Sequence, residues 1–432
     1  MFLSLAAAGT NAHAVIPPPD GGYPGFTTAE GTKALQNLTT GAANTGVGWY
    51  SLFTTSSGSY NTGVGAGTLA LNTGDQNTAT GTAAMLLNTS GTANTAVGAF
   101  ALFSNTANGG NTATGARALF SNTGSYNMAN GSYALESNTT GSGNVANGSQ
   151  TLRENNTGSN NTASGFLALY HNTADGNTAS GYGALSANTT GQNNTANGIR
   201  ALEVNTTGNA NLAEGVFALF RNTSGSQNTA IGAAALANNT TGVRNVALGD
   251  NAGVGVTTAN NVIAIGVAGE NVDNTCYIDN IFGVISTAGT GVFVNSEGKL
   301  GTGTSSRRFK DGIKPMDQTS EVILALKPVT FSYKKEIDPA GRSQFGLVAE
   351  EVEKVSADLV VRDKEGKPYS VRYDQVNAML LNEFLKEHRT VLELKEQIAA
   401  LIATVKEQSV QIQKVSAELE TSKNARQVAQ VR

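Results

Sequence analysis

The sequence contains little of what most enzymes and metal proteins use for chemistry. It has one cysteine, Cys276, and three widely spaced histidines, His13, His171 and His388, among 432 residues. One cysteine forms no disulfide framework and no thiol metal site within a chain, and the scattered histidines favour no metal site. No basic block indicates nucleic-acid binding. We therefore expect neither a cofactor nor a metal, and no nucleic-acid partner.

Long hydrophobic runs are also missing, so no membrane-spanning helix is expected. Residues 1–14 are apolar and close on Ala12-His13-Ala14, which is typical of a secretory signal remnant. The positive charge that usually precedes such a stretch is absent, so a frayed apolar terminus stays an alternative. The prolines and glycines of residues 15–26 predict a linker. The signal remnant predicts a protein that is secreted or held at the cell surface after bacterial-type export.

Charge is scarce in the first part of the chain and dense in the last. Residues 1–304 hold 7 Lys/Arg and 13 Asp/Glu, whereas residues 305–432 hold the other 21 and 19. This change of composition predicts a boundary between two kinds of structure, at Ser305.

The abundant feature is an internal repeat. The motif Asn-(Thr)-(Ala)-x-Gly occurs thirteen times at spacings of 16 or 17 residues, with leucine or methionine eight residues after the asparagine in twelve copies. A second asparagine recurs eleven residues after the first. The copies begin at Asn44, Asn61, Asn77, Asn94, Asn111, Asn127, Asn144, Asn161, Asn177, Asn194, Asn211, Asn228 and Asn245. A weaker copy begins at Thr27, and residues 261–266 resemble a closing turn.

This period predicts a β-solenoid over residues 27–266, each turn having two short strands and two Asn/Gly corners. A turn of helix through the segment around the leucine is an open alternative. One large apolar side chain per turn is little compared with the entropy of ordering 17 residues. We therefore expect several chains to associate along the leucine stripe as an oligomeric rod.

The motifs Asn228-Thr229-Ala230-Ile231-Gly232 and Asn245-Val246-Ala247-Leu248-Gly249 resemble the head repeats of YadA-like trimeric autotransporter adhesins. The resemblance implies a left-handed parallel β-roll, three chains side by side, and surface attachment through an unknown glycan or protein ligand. The period here is longer than that family's usual one, and the chain ends in a polar helix instead of the family's membrane anchor. Isolated Asp75 and Asp175 do not suit repeated calcium binding, and single threonines argue against ice binding.

Between the repeats and Ser305, residues 267–304 form a neck for which alternating apolar residues predict two or three strands. We expect Cys276 to be a buried small hydrophobe there. The segment 305–385 then predicts a small α+β domain. It has a helix at residues 321–326, strands at 329–333 and 344–349, a helix at 350–355, and strands at 359–361 and 369–373.

A long helix is predicted after Asp374, which is a plausible N-cap. Its apolar seam predicts a coiled coil over residues 386–420, followed by a disordered tail at 421–432. The seam residues are Val391, Leu394, Ile398, Leu401, Val405, Gln408, Ile412, Val415 and Leu419. β-branched residues at one seam position favour a two-stranded coiled coil, but the oligomeric rod favours three helices. The whole chain is thus predicted to be mainly β and homotrimeric.

The stretch Ser305-Ser306-Arg307-Arg308-Phe309-Lys310-Asp311-Gly312-Ile313, with Gly346-Leu347-Val348-Ala349-Glu350-Glu351-Val352 and the long helix, resembles a known family. It is the C-terminal intramolecular chaperone of phage tail spikes and endosialidases, an autoprocessing serine peptidase also found in some eukaryotic membrane-bound transcription factors. The resemblance implies that Ser305 is a nucleophile, Lys310 a general base, and Thr304–Ser305 the bond that is cut.

A lysine can serve as that base only if burial or a neighbouring charge lowers its pKa, and Arg307 and Arg308 would help. The family commonly has aspartate where Ser306 stands, and Ser306 is an alternative nucleophile. The sequence therefore predicts a trimeric fibre that releases its own chaperone module. The alternative is an uncut structural or binding stalk with no peptidase activity. A hydrolase acting on other substrates is disfavoured, because the repeats show no triad or carboxylate pair.

Overall fold

The computed structural model describes residues 25–429, so the predicted signal remnant and most of the linker lie outside the described residues. The chain divides into two compact units, one ending at Val284 and the other beginning at Ile285. Sixteen short strands of the first unit stack into one parallel sheet. The second unit contains three two-stranded antiparallel sheets and the helices. The prediction of a mainly β chain built on a parallel solenoid is confirmed.

Each solenoid turn contributes one strand of three residues to the sheet, and neighbouring strands pair in chain order. The strands β1 to β16 are Thr28–Glu30, Thr45–Val47, Thr62–Val64, Thr78–Thr80, Thr95–Val97, Thr112–Thr114, Met128–Asn130, Val145–Asn147, Thr162–Ser164, Thr178–Ser180, Thr195–Asn197, Leu212–Glu214, Thr229–Ile231, Val246–Leu248, Ile263–Ile265 and Cys276–Ile278. The middle residue, usually alanine, is buried from β1 to β15, and the two flanking residues point outward.

The rest of each turn is not the second strand that the repeat predicts, and it is not a helix. It is a chain of tight turns in which the large core residue has a left-handed backbone, with φ of 52° at Leu52 and Leu152 and 50° at Leu219. β-branched residues are strongly disfavoured in that conformation. This explains why the core position holds leucine or methionine, and never valine or isoleucine.

The stacking requires glycine at the end of each strand. At Gly198 the backbone φ is +136°, and a Cβ atom there would lie 2.4 Å from the carbonyl oxygen of Gly215 in the next turn. The conformation and the close approach each exclude a side chain. The fixed glycine of the repeat is therefore a consequence of the distance between turns.

Two ladders of buried asparagines run through the solenoid. In the first, Asn44 Oδ1 accepts a hydrogen bond from the backbone N–H of Asn61 at 2.9 Å, and Asn44 Nδ2 donates to Gly58 O at 2.8 Å. In the second, Asn155 Nδ2 donates to Asn138 Oδ1 at 2.9 Å and to Gly158 O at 2.8 Å. The side chains are satisfied by each other and by the turns, so burial carries little penalty.

These ladders correct one inference from the sequence. The leucine stripe does not lie on a surface where chains could associate along it, because the leucines are fully buried inside a single chain. The apparent shortage of apolar core is met by alanines, packed leucines and saturated amide ladders, which sequence reasoning valued too low. Any association between chains would therefore use residues other than these leucines.

The first and last turns depart from the motif. The weak copy at Thr27 is a true turn that contains β1 and the buried Leu35. At the other end, Val262 takes the buried place of the asparagine, and β16 adds a strand beyond the predicted closing turn. Asn271 Oδ1 accepts three consecutive backbone N–H groups, those of residues 257–259, at 2.8–2.9 Å. Cys276, expected to be buried, is exposed on β16.

The second unit begins with a hairpin of β17 (Val292–Val294) and β18 (Leu300–Thr302), whose residues are all exposed. It continues through 3-10 helices Arg307–Phe309 and Asp317–Ala325 to the hairpin of β19 (Val329–Phe331) and β20 (Gln344–Gly346). Then come α1 (Ala349–Val355), a 3-10 turn at Ala357–Leu359, and the hairpin of β21 (Val360–Arg362) and β22 (Pro368–Val371). Each element lies close to its predicted place, although the helix at 317–325 is of the 3-10 type.

The chain ends in a single long helix, α2 (Tyr373–Ala429), of 57 residues. Asp374 lies in its first turn and not at the N-cap. The helix continues to Ala429, through most of the segment predicted to be a disordered tail. Its heptad seam is exposed throughout, so nothing in one chain covers the predicted coiled-coil surface.

Candidate functional site

The candidate site is the segment between β18 and the 3-10 helix Asp317–Ala325. Its backbone makes one tight 3-10 turn, in which the N–H of Phe309 donates to Ser306 O at 3.0 Å and that of Lys310 donates to Arg307 O at 3.1 Å. The turn reverses the chain, so the side chains on either side of it can meet.

That turn brings Ser305 and Lys310 together. Lys310 Nζ donates a hydrogen bond to Ser305 Oγ at 3.0 Å. This is the separation that a nucleophile and its base need for proton transfer. The two residues are five positions apart, and the single turn between them is enough to bring their side chains into contact. No distant element is needed.

The alternative nucleophile, Ser306, has a different environment. It stands at the N-cap of the turn, makes no side-chain capping hydrogen bond, and has its carbonyl engaged by Phe309. The described contacts of Lys310 include the hydroxyl of Ser305 and not that of Ser306. The geometry therefore favours Ser305 of the two.

In the single chain the dyad is open to water. Ser305, Arg307 and Lys310 are all exposed, and the guanidinium of Arg308 lies 4.7 Å from the ring centroid of Phe309. Proton abstraction by a lysine needs desolvation or a neighbouring cation to favour the neutral amine. The single chain does not supply the desolvation, because Lys310 is exposed.

The two glutamates of the Gly346–Val352 motif are not at the dyad. Glu350 and Glu351 lie in the first turn of α1. Glu351 pairs with Lys354 at 2.7 Å, and that hydrogen bond and charge hold the pKa of Glu351 below its usual value. The described contacts place neither glutamate against Ser305 or Lys310.

A polar network that sequence reasoning missed attaches the module to α2. The fully buried hydroxyl of Ser320 donates to the carboxylate of Glu383 and accepts a hydrogen bond from Asn382 Nδ2 at 2.7 Å. Lys386 Nζ reaches Glu383 at 2.8 Å and Glu321 at 3.1 Å. The partners are more than sixty positions apart, so no local pattern signals them. The network fixes the start of the long helix on the module.

The charges in this network stabilise each other. The hydrogen bond from Lys386, followed by that from Ser320, lowers the pKa of Glu383. The hydrogen bond to Glu383 in turn raises the pKa of Lys386. The carboxylate and the ammonium are therefore the favoured forms at neutral pH.

Apolar packing in the module is modest. A small core forms around Ile323, Val352, Leu359, Val360 and Val371. Beside it lies a cavity of about 290 Å³, lined by Leu326, Leu347, Val352, Lys327, Glu351 and Lys354 among others. None of the dyad residues lines this cavity, so it gives no substrate pocket to the serine.

Comparison with known proteins agrees with the resemblance at this end of the chain. A family model described as "Chaperone of endosialidase" matches residues 305–361, which include the dyad, both antiparallel strands of the first module hairpin, and α1. No curated protein and no solved structure matches the chain. The family match does not extend over the repeats, so the adhesin-head resemblance stays a prediction.

Among residues 25–429 none of the helices combines the length and the apolar character that a membrane span requires. The same residues contain no group of three or more His, Cys, Asp or Glu side chains that is placed to hold a metal ion.

Proposed function

We propose that this protein is a secreted or surface fibre whose C-terminal module assists assembly of a homotrimer and then cleaves itself from the rod. The observation that carries the proposal is the Lys310 Nζ–Ser305 Oγ contact of 3.0 Å. It lies in the segment that the chaperone family model matches. The β-solenoid supplies the fibre, and the family match supplies the chaperone role.

In the proposed reaction the neutral amine of Lys310 takes the hydroxyl proton of Ser305. Ser305 Oγ then attacks the carbonyl carbon of Thr304, which forms an ester bond as the Thr304–Ser305 C–N bond breaks. The departing nitrogen receives the proton from Lys310. Water hydrolyses the ester, leaving a carboxylate on Thr304 and a free amine and hydroxyl on Ser305.

Assembly explains how an exposed lysine becomes a base. The seam of α2 exposes Leu394, Ile398 and Leu401 along a helix of 57 residues. A long isolated helix gains stability mainly by packing its apolar face. When chains associate there, neighbouring modules come together and can desolvate Lys310. Cleavage would then follow assembly and not precede it.

The rod has the role of a binding or adhesive shaft. Its turns resemble adhesin heads, and its surface offers aromatic and charged side chains to a glycan or protein ligand. Arg117, Glu136 and Arg153 form a ladder across successive turns beside Tyr133 and Tyr170. The ligand and the means of attachment are separate questions from the self-cleavage.

Mass spectrometry of the purified full chain tests the proposal. We expect fragments that end at Thr304 and begin at Ser305. Ser305→Ala and Lys310→Ala should each abolish these fragments, whereas the matched variant Ser306→Ala should still be cut. Trimer formation should be unchanged in Ser305→Ala, because the nucleophile plays no part in association.

A second function competes with this one, because the dyad is exposed and Ser306 replaces the usual acid. The chain would then be an uncut stalk with the same rod and module. An intact mass after assembly into trimers, unchanged over days at several pH values, would establish the stalk and refute self-cleavage.

A further inference from the structure

The outward surface of the solenoid sheet changes character along the rod. In β9, β10 and β11 all six outward residues are polar: Thr162, Ser164, Thr178, Ser180, Thr195 and Asn197. In the last four strands, seven of the eight are apolar or cysteine: Ile231, Val246, Leu248, Ile263, Ile265, Cys276 and Ile278. We call these seven residues the C-terminal apolar face.

Six of the seven residues of this face are exposed in the single chain, Ile231 is half-buried, and the strand register aligns them. Val246 pairs with Ile263, and Leu248 pairs with Ile265. The side chains therefore form two rows that run from strand to strand across the sheet, two residues apart along each strand. Leu248 is 48% exposed and Ile278 43%. No outward residue of these four strands is charged. Packing in the solenoid core does not account for these apolar residues, because their side chains point away from the core.

The size of the face is informative. The exposed parts of its larger side chains amount to roughly 400 Å², within the range of the largest apolar patch on a soluble monomer, which is often functional. The chain continues directly into Ile281, Phe282 and Val284, which are exposed as well. An interface that used both groups would bury roughly 800 Å² on each copy, about the share of one partner in a stable interface.

We propose that the C-terminal apolar face is where copies of this chain contact each other, and that the polar strands β9 to β11 stay free. The occupant is a second copy because an uncharged surface of regular isoleucine, leucine and valine rows is complementary to itself. The inference rests on the proposed function in one respect. If the module leaves after cleavage, contacts that keep the rods together must precede Thr304, and this face meets that condition.

The single cysteine allows a direct test in the full chain. Cys276 lies on the outward row of β16. In assembled protein carrying Ser305→Ala, a short bifunctional maleimide should link Cys276 of one copy to that of another. The comparison is Cys276→Ser/Thr178→Cys, which moves the thiol to the same row of β10. We expect at least about tenfold less linked dimer from that variant.

A second pair of variants tests the face itself while Cys276 remains the reporter. Leu248→Ser/Ile265→Ser introduces a residue that β9 and β10 already carry in the same outward row, so the solenoid should fold as before by circular dichroism. It should lower the yield of linked dimer about tenfold. The matched control Val64→Ser/Val97→Ser, in the same row of β3 and β5, should leave the yield unchanged.

The outcomes separate this inference from the proposed function. Equal linking at positions 276 and 178, no linking at 276, or no effect of the serine variants would each overturn the inference. Failure of the wild-type chain to yield the Thr304 and Ser305 fragments would overturn self-cleavage, while leaving the linking result to stand by itself. Persistence of linked Cys276 dimers in the cleaved wild-type rods would support both.

Discussion

The solenoid buries two rows of asparagine side chains, whereas the C-terminal unit leaves most of its large apolar side chains exposed to water. Asn155 is fully buried and hydrogen-bonded on both sides of its turn, while Leu401 is 63% exposed on α2. A repeat can satisfy a buried amide because the identical turn above and below supplies the partner. The module has no such neighbour within the chain. Its apolar surface is therefore available for the association of chains that we propose.

The comparison also bears on chemistry. Regular backbone fixes the solenoid side chains, but their positions create no reactive group. In the module one short turn places Lys310 Nζ at 3.0 Å from Ser305 Oγ, while both residues stay exposed to water. The regular region suits the proposed shaft, and the exposed dyad suits the proposal that cleavage follows the association of chains.

The largest effect should come from a side chain at a stacking glycine. Gly198→Val places a Cβ atom where the backbone of Gly215 lies, in a conformation that valine avoids. We expect the free energy of unfolding of the solenoid to fall by about 4 kcal/mol or more. Denaturant unfolding followed by circular dichroism measures it.

The control is the outward Thr195→Val in the same turn, which should change stability by no more than about 0.5 kcal/mol. If Gly198→Val were as stable as this control, the close approach of the Gly198 and Gly215 backbones would be contradicted.

A smaller loss is expected from breaking an amide ladder. Asn155→Ala removes the acceptor of Asn172 Nδ2 and the donor to Gly158 O. Buried polar groups left without partners should cost about 3 kcal/mol in unfolding free energy, measured in the same way.

The neighbouring Asn156 is exposed, so Asn156→Ala is the matched variant and should be nearly neutral. Equal losses from the two variants would show that the ladder does not stabilise the rod.

The left-handed core position distinguishes the two units directly. Leu152 has φ of 52°, so Leu152→Ile should cost about 2 kcal/mol through backbone strain added to repacking. The buried Leu359 of the module is outside the left-handed region, and Leu359→Ile should cost about 1 kcal/mol. Differential scanning calorimetry of the two transitions gives both values. A larger loss at Leu359 than at Leu152 would contradict the conformational explanation of the repeat.

The smallest effect concerns pH and the module alone. The pKa of Glu383 is lowered in the folded state by Lys386 and Ser320, so its contribution is complete above the ordinary carboxyl pKa. It is lost as the pH falls through the lowered value. We expect the melting temperature of the module to decline below about pH 4.5 more steeply than that of the solenoid.

Glu383→Gln should make that decline shallower, because the titrating carboxylate is gone. The exposed Glu407 of α2 provides the matched variant, and Glu407→Gln should leave the profile as it is. Identical profiles of melting temperature against pH for wild type and Glu383→Gln would show that the network does not contribute to the stability of the module.

Much of the fold could be predicted from local pattern. The period of 16 or 17 residues predicted the solenoid, and the strands and helices of the module lie near their expected places. The resemblance to the chaperone family paired Ser305 with Lys310, and their contact needs no distant element because they are only five positions apart. Long-range contacts could not be predicted. The Ser320–Glu383 contact joins residues 63 positions apart, and sequence periodicity does not indicate which distant side chains will meet.

Burial was the weakest part of the prediction. The leucine stripe was expected to lie between chains, and Cys276 was expected inside. The leucines are enclosed by one chain, and Cys276 is exposed on β16. Composition gives the amount of apolar surface but not which side of a strand faces the core, since one residue of register reverses every side chain.

The sequence by itself determined the repeat and the place where the repeat ends, and the resemblance to the chaperone family singled out the pair of residues on which self-cleavage would depend. The repeat was predictable because glycine, asparagine and leucine each occupy a backbone or ladder position that few other residues tolerate. Only the tertiary structure decided that the asparagines and leucines belong to the interior of one chain, and that the outward rows turn apolar in the last four strands. Those features depend on how whole turns stack on one another, and the sequence of a single turn does not specify that stacking.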